Sequence, residues 1–166
     1  MFVLDTNVVS ELRKAKAGKA HRNVAIWAAG VPAAALFVSA ITILELETGV
    51  LLVQRRDPKQ GVLLRAWMDH HVLPAFADRV LPVDTAVAQR CAALHVPDPR
   101  SERDALIAAT AMVHGMTVVT RNVTDFAATR SAEAAHFTDR VRREVVVQHE
   151  AGVAQAFQPV DHLLGI

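Results

Sequence analysis

Short apolar runs alternate with helical patterns along the chain. Four runs have the length of strands, at residues 2–4, 36–39, 79–83 and 117–120. Helical spacing of apolar residues predicts helices that start at Val8, run through 43–53, cover 65–76, follow Asp84 and cover 105–114, where Gly115 ends the last. The strands are continuously apolar, as in parallel sheets covered on both faces. The pattern predicts an α/β fold, a three-layer α/β/α sandwich with a mostly parallel central sheet.

The chain has the length of one domain, and the pattern is clear only up to residue 126. We therefore predict a domain core at 1–126 and a carboxyl-terminal extension at 127–166 that packs on the same domain. The valines at 145–147 would suit a fifth strand, whereas the segment before them also suits a helix.

An uncharged stretch at 24–44 has the length of a membrane span. Gly30, Pro32 and a block of alanines weaken that interpretation, and its end resembles a buried strand. Asp5 interrupts the first apolar run and no positive region precedes it, so no secretory signal is expected. We expect a chain with no membrane segment.

The amino-acid composition restricts the class of protein further. With 52% hydrophobic and 21% charged residues the chain has the make-up of a globular protein. The formal net charge of +1 does not itself indicate nucleic acid as a partner. Cys91 is the single cysteine, which excludes an internal disulfide and a cysteine-rich zinc site and fits a reducing, cytoplasmic setting.

Four acidic residues follow strands or begin helices, which is where active sites of parallel α/β folds lie. They are Asp5, Glu45, Asp104 and Asp125. Carboxylates gathered at one sheet edge repel one another unless a cation holds them, and oxygen ligands favour Mg²⁺ or Mn²⁺. Such an ion can activate water and stabilise a phosphate during in-line displacement.

Each acid also has a purely structural interpretation. Glu45 follows Thr42 with the spacing of a capping box, and Asp104 follows Ser101 in the same way. Asp125 suits an ordinary turn. Asp5 is harder to explain structurally, because a carboxylate at the end of an apolar strand loses hydration.

Four motifs resemble those of PIN-domain ribonucleases, in particular VapC toxins of the FitB-like group. They are FVLDTN at residues 2–7, SAITILEL at 39–46, DALIAATA at 104–111 and TVVTRNVTDF at 117–126. The resemblance implies a metal-dependent endoribonuclease that uses Mg²⁺ or Mn²⁺. It makes Asp5, Glu45 and Asp104 the metal-binding carboxylates, with Asp125 completing the acidic pocket. Thr6 and Asn7 would support the first turn, and Thr6 would also hold the metal-binding carboxylates by hydrogen bonding. Asn122 would have the same supporting role, with an ordinary turn residue as an equal alternative.

The resemblance also implies partners. Toxins of this kind are held inactive by a cognate antitoxin protein, and they form homodimers or hetero-oligomers with it. RNA is the implied substrate. Candidate phosphate contacts are Arg13 and Lys14, in a basic segment after the first helix, and Arg121 after the fourth strand. A solvated helix end is the structural alternative for the basic segment.

Two other functions remain possible from the sequence. A non-catalytic binding module could keep the same fold. A phosphatase of the haloacid-dehalogenase type also has an aspartate after its first strand, but it needs a second aspartate where this chain has Asn7.

Overall fold

The computed structural model describes residues 1–15 and 17–122. Four strands form the sheet: β1 (Phe2–Leu4), β2 (Leu36–Ser39), β3 (Val80–Leu81) and β4 (Thr117–Val119). The first helices are α1 (Thr6–Leu12), α2 (Arg22–Ala29), α3 (Ala40–Arg56) and α4 (Pro58–Trp67). A π-helical turn (Met68–Val72) joins α4 to the short α5 (Leu73–Ala75), and α6 (Thr85–Leu94) and α7 (Glu102–Val113) complete the described part.

All strand pairs in the sheet are parallel, in the order β3-β2-β1-β4. β1 is central, with Leu4 opposite Val38 of β2 and Val119 of β4. The amide of Asp5 extends this pairing by donating to the carbonyl oxygen of Val119 at 2.9 Å. Because the strands share one direction, their carboxyl ends lie at one edge of the sheet.

Two hydrophobic clusters cover the two faces of the sheet. Leu4 and Val119 face the cluster that includes α1, α2 and α3, whereas Val3 and Val118 face the cluster built by α6 and α7. This alternation follows from the two-residue period of a strand. The predicted three-layer α/β/α architecture is confirmed.

Several boundaries differ from the predicted ones. The first helix begins at Thr6 rather than Val8, because Asp5 caps it, and α3 begins at Ala40. The predicted strand at 79–83 is reduced to two residues, since its partner β2 ends at Ser39. The strand predicted at 117–120 ends at Val119.

The helix predicted at 65–76 is part of a longer helical run that begins at Pro58. Asp57 caps that run by accepting a hydrogen bond from the amide of Gln60 at 3.1 Å. Helix α2 was not predicted. It buries Val24 and Ala28, with Trp27 and Val31 packed beside them at helical spacing, but no side chain caps its start.

The uncharged stretch at 24–44 is divided among α2, β2 and the beginning of α3. Within the described residues, no helix combines the length and hydrophobicity that crossing a membrane requires. Asp125 and the extension at 127–166, including the possible fifth strand, lie outside the described residues. The division of the chain at residue 126 therefore stays a prediction.

Candidate active site

Asp5 is the centre of the candidate site. It is 5% exposed and lies between the end of β1 and the start of α1. Its Oδ1 accepts the amide hydrogen of Thr6 at 2.6 Å, which caps the helix. Its Oδ2 accepts from Asn7 Nδ2 and from Thr120 Oγ1, both at 2.6 Å. The carboxylate is therefore held in one orientation by three donors.

Thr120 connects the end of β4 to this carboxylate. Its buried hydroxyl donates to Asp5 and accepts from Asn7 Nδ2 at 3.1 Å and from the amide of Asn122 at 3.0 Å. A hydroxyl group can donate one hydrogen bond and accept two, so these three bonds use the full capacity of the Thr120 hydroxyl. The amide of Arg121 donates to Asn7 Oδ1 at 3.0 Å, so Asn7 joins β4 to the start of α1.

Glu45 is joined to Asp5 through Thr6. Thr6 Oγ1 donates to Glu45 Oε2 at 2.5 Å, while the Thr6 amide donates to Asp5. Thr6 thus joins the two acids, and the supporting role inferred for it stays a prediction. A second link between the same elements is the buried hydroxyl of Thr42, which donates to the carbonyl oxygen of Leu4 at 3.1 Å.

The capping-box interpretation of Glu45 is wrong. Ser39 is the N-cap of α3, and its hydroxyl accepts from the Thr42 amide at 3.1 Å. Glu45 therefore lies in the second turn of α3, beyond reach of the free amides at the helix start. Its carboxylate contacts Thr6 and Arg103 instead, with Arg103 Nη1 at 3.6 Å from Oε1.

Asp104 lies in the first turn of α7. The residue before that helix, Ser101, makes no capping hydrogen bond with its side chain, so the second proposed capping box is not formed either. A first-turn acid is still favoured by the helix dipole. Asp104 is near enough to Asp5 for its charge to act on that carboxyl group.

Burial raises the pKa of Asp5 above its ordinary value. The hydrogen bonds from Thr120 and from the Thr6 amide oppose that shift, and the charges of Asp104 and Glu45 add to it. The charges of two neighbouring carboxylates thus act on Asp5 at this edge, and a bound cation would relieve that repulsion.

The chemistry of these donors fits a hard divalent cation. Mg²⁺ keeps several waters and uses only one or two protein carboxylates in many sites. Within residues 1–15 and 17–122, no three His, Cys, Asp or Glu side chains converge as one ligand set. Glu45 faces Arg103 on one side, and Asp125 is outside the described part. A site of one or two carboxylates centred on Asp5, completed by water, is the arrangement that these positions allow.

Two of the three basic candidates, Lys14 and Arg121, contact a buried acid, Glu11, which is 7% exposed. Lys14 Nζ and Arg121 Nη1 both lie 2.8 Å from Glu11 Oε1, and the amide of His21 donates to Oε2 at 2.8 Å. The hydrogen bond from Lys14, then that from His21, lowers the pKa of Glu11. Two cations share one carboxylate, so Lys14 and Arg121 retain donors on their half-exposed ends.

The remaining basic candidate, Arg13, lies at the end of α1 with its guanidinium 5.6 Å from the centre of the Trp67 ring. That distance is within the range of a cation–π contact. Asn122 contacts the site through its backbone amide, which donates to Thr120. Its position agrees with either of the roles considered for it.

Thr120 and Arg103 were not among the predicted site residues, and Asn7 was expected only to support the first turn. Asn7 and Thr120 stand inside two of the quoted motifs, so the signal for them was present. Only their pairing across 113 positions shows that both hold Asp5. Arg103 precedes Asp104 directly, but nothing in the sequence relates it to Glu45.

Comparison with known proteins now defines the class. A model of the PIN domain matches residues 2–131. A relative called VapC ribonuclease Y4jK, from Sinorhizobium fredii, is 38% identical over 133 residues, 77% of this chain and 91% of the relative. Toxin FitB from Neisseria gonorrhoeae is 35% identical over 131 residues, 76% of this chain and 91% of that toxin.

A solved structure gives the same result. The crystal structure of FitAcB from Neisseria gonorrhoeae matches with a TM-score of 0.69 and 34% identity, over 78% of this chain and 93% of that one. The chain belongs to the PIN-domain family. The resemblance inferred from the four motifs is confirmed. The matches do not support the alternative of a haloacid-dehalogenase-type phosphatase.

Proposed function

We propose that this protein is a metal-dependent endoribonuclease and the toxin of a type II toxin–antitoxin pair. The observation that carries the proposal is the link Asp5–Thr6–Glu45 at the carboxyl ends of a parallel sheet in a PIN domain. Burial of the Asp5 carboxylate removes its hydration, which is unfavourable even with three hydrogen bonds in its place. The fold alone does not require a charged group at this position. The names of the relatives, a VapC ribonuclease and a toxin, support the same function.

Asp5 and Glu45 would hold Mg²⁺ or Mn²⁺, with Asp104 and Asp125 as further ligands, directly or through water. When bound, such an ion supplies charge stabilisation to the phosphate and lowers the pKa of bound water. Asn7 and Thr120 fix the direction of Asp5, because their hydrogen bonds occupy one side of its Oδ2. Thr6 fixes the separation of Asp5 from Glu45.

The reaction is hydrolysis of an RNA phosphodiester. The oxygen of a water molecule forms a bond to phosphorus while the bond from phosphorus to the leaving oxygen breaks in line. Within the described residues the side chain of Asp104 makes no hydrogen bond, and its carboxylate would accept the proton of the attacking water. The leaving oxygen takes a proton from solvent.

The proposed protein partner is an antitoxin. Solved relatives include FitAB bound to a DNA fragment, at 34% identity over 78% of this chain. A toxin of this class is harmless only while its partner covers it. We therefore expect expression of this chain alone to arrest growth, and co-expression with the neighbouring partner gene to restore it.

Glu45 and Glu47 provide a matched test, because both lie on α3 and only Glu45 contacts Thr6. Glu47 instead forms an ion pair with Arg65 at 2.5 Å. Purified full-length wild type, Glu45→Gln, Glu47→Gln and Asp5→Asn would be incubated with labelled RNAs and Mg²⁺ or Mn²⁺, and then with chelator. We expect Glu45→Gln and Asp5→Asn to lose at least about 100-fold in activity, more than the loss of a supporting group causes.

Glu47→Gln should cleave RNA like the wild type, and chelator should stop cleavage. If wild type leaves all RNAs intact with either metal, the nuclease proposal is wrong. Equal losses in the two glutamine variants would overturn the role of Glu45. One observation favours the second candidate, a non-catalytic binding module. In the described part the acids do not converge as a three-ligand set, and Glu45 is partly neutralised by Arg103. RNA binding without cleavage would support that alternative.

A further inference from the structure

Arg103 brings a positive charge to the acidic pocket. It is the second residue of α7, directly before Asp104, and its Nη1 lies 3.6 Å from Glu45 Oε1. Among the ion pairs of residues 1–15 and 17–122, this one alone joins a cation to a proposed metal-binding carboxylate.

The contact between Arg103 and Glu45 is loose. A separation of 3.6 Å exceeds the range of a hydrogen bond between charged groups, about 2.7–2.9 Å. The Arg103 side chain is 53% exposed, against 21% for Glu45. Arg65 is different, because it binds Glu47 through both terminal nitrogens at 2.5 and 3.0 Å and is 28% exposed. Within the described residues Arg103 forms no hydrogen bond, so its donors are available.

An acidic pocket repels the substrate proposed for it. Each phosphate of RNA is an anion, and Asp5, Glu45 and Asp104 oppose its approach until positive charge balances them. A guanidinium group presents two parallel N–H donors that match two phosphate oxygens, which a lysine ammonium cannot do. Lys14 and Arg121 each form a close ion pair with Glu11 at 2.8 Å, whereas Arg103 lies 3.6 Å from its carboxylate partner.

We propose that Arg103 leaves Glu45 and binds the phosphate group of the RNA at the cleavage site. The inference rests on the proposed nuclease function and adds a substrate-binding residue to it. The movement is small, since Arg103 and Asp104 are neighbours at the start of one helix. The same movement removes Arg103 from Glu45 Oε1. One movement thus binds the phosphate group and leaves the Glu45 carboxylate free to bind the metal ion.

The salt dependence of RNA binding tests this contact without relying on cleavage. Binding of a labelled single-stranded RNA would be measured over a salt series at constant Mg²⁺. All proteins would carry Asp104→Asn, and Arg103→Ala, Arg103→Lys and Arg65→Ala would be added singly. Loss of one phosphate contact should reduce the slope of log K against log salt by about 0.7. We expect that reduction for Arg103→Ala, with weaker binding, and the parental slope for Arg103→Lys and Arg65→Ala.

Cleavage by chains with Asp104 intact separates the two proposals. There kcat/KM should fall about 10-fold or more for Arg103→Ala and less for Arg103→Lys, with Arg65→Ala near wild type. An unchanged slope for Arg103→Ala, or equal losses in Arg103→Ala and Arg65→Ala, overturns the role of Arg103. Failure of wild type to cleave any RNA overturns the nuclease function, and the slope still decides whether Arg103 contacts phosphate.

Discussion

The carboxyl group of Asp5 has two tasks that oppose each other. As the N-cap of α1 it accepts the Thr6 amide and stabilises the helix start. As a buried anion near Glu45 and Asp104 it is destabilised, and its pKa is raised. Between the unfolded value, near 3.8, and the higher folded value, the native state holds more protons. The contribution of Asp5 to the free energy of unfolding therefore falls as pH rises through that window.

Replacing Asp104 by Asn should lower the pKa of Asp5, because one of the two negative charges that raise it is removed. The carboxyl carbon of Asp5 can be followed by ¹³C NMR in a pH titration without divalent metal. Glu47→Gln is the control, since Glu47 is paired with Arg65, and it should leave the titration unchanged. A pKa of Asp5 that stays the same or rises in Asp104→Asn would show that the two carboxylates do not interact.

At the scale of elements, the starts of α3 and α7 carry two proposed ligands but begin in different ways. Ser39 is fully buried, and its hydroxyl caps α3 by accepting from Thr42. Ser101 occupies the same position of α7 without a capping hydrogen bond from its side chain. The start of α3 is therefore stabilised by a side-chain cap, and that of α7 is not.

Ser39→Ala should lower the free energy of unfolding by about 1 kcal/mol, the usual effect of losing an N-cap hydroxyl. Ser101→Ala should change it by less, about 0.5 kcal/mol or under, as surface substitutions usually do. Urea denaturation of both variants beside wild type measures the difference. A larger loss for Ser101→Ala than for Ser39→Ala would contradict these assignments of the two helix starts.

Elements with a buried apolar stripe were predictable from the sequence, because burial selects their residue types. Helix α7 is the clearest case, with six buried residues and Gly115 at φ 62° after its end. Helix α2 was missed although Val24, Trp27 and Ala28 have helical spacing, because no side-chain cap marks its start. The three acids in the described part were recognisable from strand ends and motifs. The Arg103–Glu45 pair was not, since it depends on how α7 packs beside α3 rather than on any local pattern.

For the whole molecule, binding of a divalent ion couples the candidate site to global stability. An ion at 100 times its Kd stabilises the folded state by about 2.7 kcal/mol. For a chain of this size that corresponds to roughly 5–10 °C in Tm. We expect Mn²⁺ or Mg²⁺ to raise the Tm of wild type and of Glu47→Gln by this order, and Glu45→Gln to respond less.

Differential scanning calorimetry with metal and with chelator checks this expectation. Equal shifts in wild type, Glu45→Gln and Glu47→Gln would place metal binding outside the proposed site. A response confined to the chains with intact Glu45 would support it independently of cleavage.

The hydrogen bond from Thr120 to Asp5 joins residues 115 positions apart. During synthesis Thr120 is added 115 residues after Asp5. Until then β1 lacks one of its two neighbours and the carboxylate lacks one of its three donors. The order of the strands thus delays assembly of the site until β4 has been synthesised, which gives a partner protein time to meet the nascent toxin before it can act.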